Sequence, residues 1–321
     1  YVGTYTHENS IGIHVYDIDM EKGKLTERSV APISNPSNIA VAHNGKYLYS
    51  IEDEGVASFS IDENGDLTKI NQAWIGGMRA CYVEIDSNDR YLFLAGFHDG
   101  KVTMMRLNED GSIAGIADGV FHQGVGKSSV EKRMDPRVSC TKLTPDEKYL
   151  CAVDWGLNQI KIYEVDYEEG KLHLYDILRF PFNSAPRRIR FSKDGKFAYV
   201  LEETTNMVDI YTYDLREGKP VFEKIKTTSV LEKEDSLASG SALEFAPDGK
   251  YLYVSLDGAN EVVCLAVGED GLISIEETTK ISGDYPKDIA IFPGGEHLAS
   301  INHEGSISFF KIDYEKGLLV M

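Results

Sequence analysis

The sequence predicts an all-β protein, a seven-bladed β-propeller with four antiparallel strands in each blade. Three observations predict this fold. A tight polar turn followed by an aromatic strand recurs six times, an alternating strand follows most copies, and the first residues supply a seventh, partial copy. Successive copies begin roughly 45–60 residues apart, which is the repeat length of propeller blades. No linker or composition break interrupts the pattern, so residues 1–321 are predicted to form one domain.

The copy at residues 184–214 shows the repeat most clearly. Residues 189–191 are predicted as its first strand, residues 197–201 as its second and residues 208–213 as its third. Asp194-Gly195 forms the turn between the first two strands, because glycine accepts a positive φ and aspartate caps its own backbone.

The other copies follow the same plan. Their turns are Asn44-Gly45, Asn88-Asp89, Asp146-Glu147, Asp248-Gly249 and Gly294-Gly295. A fourth strand is predicted after further glycine turns at Gly23, Gly65, Gly111, Gly170 and Gly271. The aromatic residues that open the second strands recur at one register, which is typical of packing between blades; they are Tyr47, Tyr91, Tyr149, Phe197 and Tyr251.

The amino-terminal copy is incomplete. Residues 1–5 are predicted as its second strand, residues 12–17 as its third and residues 25–30 as its fourth. A first strand is not visible in the sequence. A propeller that closes by sharing strands from both termini avoids an open sheet edge, so the first and last blades are expected to complete one another.

Composition excludes several classes of function. The net charge of −19 argues against a nucleic-acid partner, because phosphates would be repelled over most of the surface. No apolar run approaches the length needed to span a membrane. The four cysteines lie in or beside predicted strands without metal-ligand spacing, which predicts free thiols in a reducing cytoplasm. Neither a metal nor another cofactor is predicted.

Strand register locates a candidate site. In a propeller blade the first strand begins where the second strand ends, at one mouth of the central channel. Counted from the second turn residue, these mouth positions lie eight residues before and eight residues after it. The earlier set is Ser37, Cys81, Ser139, Arg187, Ser241 and Lys287; the later set is Asp53, Phe97, Trp155, Glu203, Asp257 and His303. Tyr5 takes the later position in the partial copy, and Arg79 and Arg137 lie two residues before the earlier set.

Polar residues that converge on a channel mouth are typical of a small-molecule site. Arg187 and Glu203 belong to one blade, so an ion pair between them is predicted. Most other polar residues in such a ring are equally compatible with an ordinary hydrated channel.

Several motifs resemble those of the bacterial seven-bladed propeller lactonases, the 6-phosphogluconolactonase type. They are the opening Tyr1-Val2-Gly3-Thr4-Tyr5-Thr6, Gly12-Ile13-His14-Val15-Tyr16, the repeated Pro-Asp-Gly-Lys-Tyr-Leu-Tyr, His122-Gln123-Gly124, Ala185-Pro186-Arg187 and Tyr199-Val200-Leu201-Glu202-Glu203. The resemblance covers the whole chain. The fungal carboxymuconate-lactonizing enzymes are similar to the same family, so the resemblance leaves the reaction open.

The chain departs from this family where histidines are usual. Arg137-Val138-Ser139-Cys140 stands where the family usually has His-x-His-Ser. Pro186-Arg187-Arg188 stands where Pro-Arg-His is usual, so Arg188 replaces the histidine. Glu244 replaces an inner-strand histidine, and Lys287 replaces an arginine after proline. The chain is therefore identified as a divergent member.

The resemblance implies hydrolysis of a sugar lactone, which needs a base to activate water and a cation for the developing oxyanion. The candidate catalytic residues are Glu203, Arg187, His303 and Glu244. The candidate substrate-binding residues are Arg79, Arg137, Arg188, Lys287, Tyr5, Trp155 and Asp257. The expected substrate is a phosphorylated sugar-acid lactone, 6-phosphogluconolactone before others. A non-catalytic propeller that binds an anionic metabolite or a protein, and a muconate-type lactonizing or isomerising enzyme, are the alternatives.

Overall fold

The computed structural model describes residues 1–6, 9–21, 23–124, 135–233, 237–292, 294–314 and 318–320. Every regular element in these ranges is a β-strand. They contain no helix long and apolar enough to cross a membrane. Contacts divide the chain into two compact units, Tyr1–Ile18 with Leu25–Arg179 and Asp19–Lys24 with Phe180–Met321. The assignment of one domain stays a prediction.

The first unit contains nearly all of a hairpin and three four-stranded sheets. The hairpin is β1 (Gly12–Asp19) and β2 (Lys24–Pro32). The first blade is β3 (Ile39–Val41), β4 (Tyr47–Glu52), β5 (Gly55–Ile61) and β6 (Leu67–Trp74). The second is β7 (Tyr82–Ile85), β8 (Tyr91–Ala95), β9 (Lys101–Leu107) and β10 (Ile113–Phe121). The third is β11 (Val138–Leu143), β12 (Tyr149–Asp154), β13 (Gln159–Asp166) and β14 (Lys171–Arg179).

The second unit contains three further four-stranded sheets. The fourth blade is β15 (Pro186–Phe191), β16 (Phe197–Glu202), β17 (Met207–Arg216) and β18 (Lys219–Ser229). The fifth is β19 (Ser239–Phe245), β20 (Tyr251–Asp257), β21 (Glu261–Val267) and β22 (Ile273–Lys280). The sixth is β23 (Pro286–Ile291), β24 (His297–Asn302), β25 (Ile307–Asp313) and β26 (Leu318–Val320).

Each four-stranded sheet follows the predicted plan of sequential antiparallel neighbours. The turn between the first two strands uses a positive φ at its second residue, including Gly195 at 72°. Where the sequence offers no glycine, Asp89 and Glu147 adopt the same conformation, both with φ of 55°. The third strand of the fourth blade is longer than predicted, because it pairs with β18 as far as Arg216.

The partial copy differs from the predicted four strands. It contains the predicted third and fourth strands as β1 and β2, but its predicted second strand is reduced to a single bridge between Val2 and His14. The amino-terminal residues make other contacts instead. The Tyr1 hydroxyl donates to the Gly65 carbonyl, and the Thr6 amide donates to the Asn35 side chain.

The aromatic residues that open the second strands pack between neighbouring blades within each unit. The Tyr47 ring lies against Gly111, and the Phe197 ring lies against Gly271. Both glycines have a φ of +77°, and any Cβ there would overlap the ring, so these turns require glycine. The Tyr91 hydroxyl donates to the carbonyl of Tyr167 in the next blade at 2.8 Å. The predicted packing role is therefore confirmed at these positions, whereas the Tyr149 ring contacts Tyr175 of its own blade.

The apolar core lies between consecutive blades. One cluster joins the first and second blades through buried residues such as Ile51 and Leu92. In the second unit, one cluster joins the fourth and fifth blades and another joins the fifth and sixth. Close packing of these faces fixes the spacing of the innermost strands, which carry several of the candidate site residues.

Candidate active site

The innermost strands carry β-bulges at the predicted mouth positions. The register shifts between Val138 and Cys140, between Pro186 and Arg188, and between Pro286 and Asp288. The extra residues are Ser139, Arg187 and Lys287, which all belong to the earlier mouth set. A bulge bends its strand and redirects the extra side chain. Arg187 and Lys287 therefore occupy positions that the regular strand pattern does not determine.

Arg187 and Glu203 form the predicted ion pair. One terminal nitrogen of the Arg187 guanidinium donates to Glu203 Oε2, and its Nε donates to the Ser241 carbonyl at 2.8 Å. The Glu203 amide in turn donates to the Ala185 carbonyl at 2.9 Å. The two side chains keep 25% and 22% of their surface exposed. They are thus fixed at the backbone and still reachable by a small ligand.

Lys287 and Asp257 form a second ion pair in the same unit. Ser241 connects the two pairs, because its hydroxyl donates to the Lys287 carbonyl at 2.9 Å while its own carbonyl accepts from Arg187. The fourth, fifth and sixth blades therefore place two cations, at mouth positions of their innermost strands, and two carboxylates, at the ends of their second strands.

Tyr285 was not predicted as a site residue. Its ring lies 5.9 Å from Lys287 Nζ and makes an edge contact of 6.4 Å with the His303 ring. Tyr285 has a φ of 57°, and Ala185 at the equivalent position of the fourth blade has a φ of 52°. Both precede the proline of a Pro-cation pair, and their carbonyls accept from His303 and Glu203, respectively. A positive φ in a bulky residue is unusual and marks a conformation held by its surroundings.

His303 lies at the mouth position predicted for it and is exposed. Its backbone amide is bound to the Asp284 and Tyr285 carbonyls. Within the described residues its ring contact is with Tyr285, and its role as a base stays a prediction.

Glu244 lies on the inner strand β19 and pairs with Arg190 of β15. The contact is bidentate, with Arg190 Nε donating to Glu244 Oε2 at 3.1 Å. Lys142 and Glu84 pair at 2.6 Å at the same register in the first unit. Both pairs join neighbouring innermost strands, so this position favours a structural clasp. The proposed role of Glu244 as a base stays a prediction.

Arg188 is buried, unlike a typical surface ligand-binding arginine. Its guanidinium donates to the Arg187 carbonyl at 3.4 Å. Burial raises the pKa of the neighbouring Asp288 carboxyl, and the positive charge of Arg188 partly opposes this shift. Arg188 therefore lies among buried groups beside Arg187, and its role in substrate binding stays a prediction.

Arg79 contacts Tyr5 in the first unit, a contact that the register did not predict. The guanidinium carbon lies 4.8 Å from the centre of the Tyr5 ring, which is exposed. Arg79 also donates to the Asn35 carbonyl at 2.5 Å and lies 3.9 Å from Asp53 Oδ1. The Asn35 amide group binds both oxygens of Asp53. Arg79 therefore belongs to a paired polar network.

Arg137 contacts Trp155, also in the first unit. Its guanidinium lies 5.6 Å from the Trp155 ring and 5.3 Å from the Phe97 ring. The Arg137 carbonyl accepts from the Trp155 amide at 2.9 Å, so backbone and side chain hold the two residues together. Cation–π contacts of this kind orient a guanidinium without neutralising it.

A buried polar pair lies beneath Arg137. His122 Nδ1 donates to Asp154 Oδ2 at 2.7 Å, and both side chains are fully buried. Asp154 Oδ1 accepts from the Arg137 and Leu157 amides, both at 2.9 Å. Sequence reasoning gave His122 no site role, because its partner lies 32 residues away on another blade.

We expect His122→Asn to weaken the pH dependence of stability. Burial lowers the pKa of His122 below its ordinary value of 6.5; nearby Lys161 adds to this shift and Asp154 opposes it. The unfolded chain therefore binds a proton before the folded chain does. The free energy of unfolding should fall as pH decreases below about 6.5 and be insensitive to this group above it.

Melting temperatures at pH 7.5 and pH 5.5 test this expectation. The wild type should lose more stability on acidification than His122→Asn. The exposed residue His43 offers a matched control, and His43→Asn should retain the wild-type pH dependence. Equal acid sensitivity of the wild type and His122→Asn would show that His122 is not the titrating group.

The described residues contain no group of three or more histidine, cysteine, aspartate or glutamate side chains that could hold a metal ion. All four cysteines are free thiols. The absence of a metal from the reaction stays a prediction.

Comparison with known proteins identifies the family. A family sequence model described as "Lactonase, 7-bladed beta-propeller" matches residues 1–321. A 6-phosphogluconolactonase from Bacillus subtilis is 32% identical, over 100% of this chain and 93% of its own length. A 6-phosphogluconolactonase from Formosa agariphila is 29% identical, over 99% of this chain and 94% of its own length.

A solved structure gives the same result. The periplasmic gluconolactonase of Pseudomonas aeruginosa superposes with a TM-score of 0.90 and 27% identity, over 100% of this chain and 93% of that chain. The predicted all-β propeller and the predicted resemblance are confirmed. The chain belongs to the seven-bladed β-propeller lactonase family and is a lactone-hydrolysing enzyme.

Proposed function

We propose that the protein hydrolyses 6-phosphogluconolactone to 6-phosphogluconate, with Arg187 and Glu203 at the reacting bond. The observation that carries this proposal is the partly exposed ion pair between these two residues. The names of the relatives from Bacillus subtilis and Formosa agariphila support a phosphorylated lactone. Free cysteines agree with a cytoplasmic location, which is part of the proposal.

In this proposal Glu203 accepts a proton from a water molecule as the water oxygen attacks the lactone carbonyl carbon. The carbonyl oxygen becomes negatively charged, and the Arg187 guanidinium stabilises it. The bond between the carbonyl carbon and the ring oxygen then breaks. The ring oxygen leaves with the proton that Glu203 had accepted, so the carboxylate is regenerated.

The geometry supports this division of roles. The bond from Arg187 to the Ser241 carbonyl and the bond from the Glu203 amide to the Ala185 carbonyl hold both groups before substrate binds. Charged groups fixed in advance need little reorganisation during the reaction. Lys287, with 45% of its side chain exposed, adds a cation that favours an anionic substrate in the same unit.

Loss of 6-phosphogluconolactone over its spontaneous hydrolysis tests the proposal, with glucono-δ-lactone as the unphosphorylated comparison. We expect purified protein to accelerate loss of the phosphorylated lactone, to act less well on the unphosphorylated one, and to retain activity after chelator treatment. No acceleration of 6-phosphogluconolactone loss at micromolar enzyme would contradict the proposed reaction. Equal or better use of the unphosphorylated lactone would contradict the proposed substrate.

A further inference from the structure

Arg137 differs from the other mouth cations in its electrostatic surroundings. Its side chain is exposed, and among the residues that the structure describes no carboxylate forms an ion pair with its guanidinium. Lys287 is paired with Asp257, Arg187 with Glu203, and Arg79 lies beside Asp53.

Two aromatic rings hold this cation in place. The Phe97 and Trp155 rings lie 5.8 Å apart with an interplanar angle of 55°, and the guanidinium lies against both. Both rings occupy later mouth positions, in the second and third blades. Packing against ring faces leaves the N–H edge of a guanidinium available for two parallel hydrogen bonds to an oxyanion.

The backbone beneath the cation is rigid. Asp154 is fully buried, and its Oδ1 binds the Arg137 amide and the Leu157 amide on either side of the Trp155 turn. His122 fixes the other carboxylate oxygen at 2.7 Å. A cation held from below by a buried network and from the side by two rings loses little conformational freedom when it binds a ligand.

We propose that Arg137, Trp155 and Phe97 form a binding site for a phosphate monoester of a sugar acid. The guanidinium edge binds the phosphate, and the aromatic faces contact the C–H groups of the carbon chain. The ligand class rests on the proposed function, but the site lies entirely in the first unit. Its ligand binding can therefore be measured without turnover.

Trp155 provides a direct readout. The chain has two tryptophans, and the other, Trp74, is 67% exposed at the end of β6, so Trp74→Phe leaves Trp155 as the only tryptophan. In this background, Trp155 fluorescence is titrated with 6-phosphogluconate, inorganic phosphate and gluconate at constant ionic strength. We expect saturable changes in Trp155 fluorescence with 6-phosphogluconate and with inorganic phosphate, and a much weaker response to gluconate.

Arg137→Met should raise the dissociation constant for 6-phosphogluconate at least about tenfold, as expected for the loss of a bidentate charged contact. Arg137→Lys should give an intermediate value, because lysine keeps the charge without the planar fork. Arg90→Met is the matched control. Arg90 also lies over an aromatic ring, Tyr167 at 4.9 Å, but it is paired with Asp86 at 3.5 Å. The control should bind like its parent.

The outcomes separate this site from the proposed activity. Phosphate binding that requires Arg137 supports the site even if no lactone is hydrolysed. Unaltered affinity in Arg137→Met, with an unaltered melting temperature, overturns the site even if lactone hydrolysis is fast. A linear response to all three anions shows that they bind non-specifically, and it also overturns the site. Calorimetric titration of the protein with both tryptophans present gives a second measurement, with the same outcomes, should Trp74→Phe prove unstable.

Discussion

Arg187→Ala is expected to lower kcat/KM for 6-phosphogluconolactone by about 100-fold or more. Arg187 is the cation proposed to stabilise the negative oxygen that develops on the lactone carbonyl. Its side chain is a quarter exposed and contacts Glu203 and the Ser241 carbonyl, so its removal leaves no cavity in the apolar core. The melting temperature should change little, and the loss should therefore appear in turnover.

Glu203→Gln distinguishes two roles for Glu203, that of a catalytic base and that of a residue that only positions Arg187. The amide keeps the size of the side chain but cannot accept the proton from water. If Glu203 is the base, kcat should fall by about 100-fold, as expected for Arg187→Ala, while KM changes little. If Glu203 only orients Arg187, both single variants should weaken binding, and the double variant should be no worse than either.

Lys287→Ala is a useful control, because Lys287 forms the neighbouring ion pair in the same unit without being assigned to the reacting bond. It should raise KM more than it lowers kcat. Unchanged turnover in both Arg187→Ala and Glu203→Gln, with unchanged melting temperatures, would show that the catalytic pair is wrongly assigned. His303 and Glu244 would then be the next residues to replace.

The sequence was sufficient to predict the pairing of Arg187 with Glu203. A tight turn fixes which residues oppose each other in the two strands that it joins, so counting from Gly195 determines how far along each strand a residue lies. Pro186 and Glu202 are indeed opposed across β15 and β16. The same counting placed His303 at its mouth position, because the turn of the sixth blade also carries glycine at its second residue.

The bulges could not be predicted by this counting. An extra residue at Arg187 or Lys287 changes the direction of one side chain without changing the length of the repeat. The positive φ of Tyr285 is also hidden in the sequence, because a residue before proline is expected to be extended. Its ring consequently lies beside Lys287 and His303, where no repeat position predicts an aromatic residue.

Contacts between blades were harder still to predict. The clasp between Arg190 and Glu244 joins residues 54 positions apart, and the pair of His122 and Asp154 joins residues 32 positions apart. Arg190 and Glu244 occupy the same repeat position in consecutive blades, but the repeat does not show that this position faces its counterpart across the blades. His122 follows the last strand of its blade, in a connection whose length varies from blade to blade. Burial of Asp154 on a strand end followed directly by the half-buried residue Trp155 becomes evident only from the three-dimensional fold.

Asp154→Ala is expected to lower the melting temperature by more than about 5 °C. The substitution removes the acceptor for three donors, namely His122 Nδ1 and the amides of Arg137 and Leu157. A buried donor left without a partner costs about 1–3 kcal/mol, and a loss of 3 kcal/mol shifts the melting temperature of a protein of this size by several degrees. The substitution also removes the negative charge near the buried Lys161, whose pKa is lowered by burial and raised in part by Asp154.

Two further variants give this prediction its controls. Asp154→Asn keeps an oxygen for the two backbone amides and lets His122 accept a hydrogen bond in its other tautomer. Its melting temperature should therefore fall by less than half as much as that of Asp154→Ala. Glu52 occupies the same register in the first blade and is also buried, but its ion pair with Lys69 is longer, at 3.6 Å. Glu52→Ala should therefore cost less than Asp154→Ala. Equal melting temperatures for the two alanine variants would mean that burial of a carboxylate at this register, and not the three hydrogen bonds of Asp154, determines the stability of the blade.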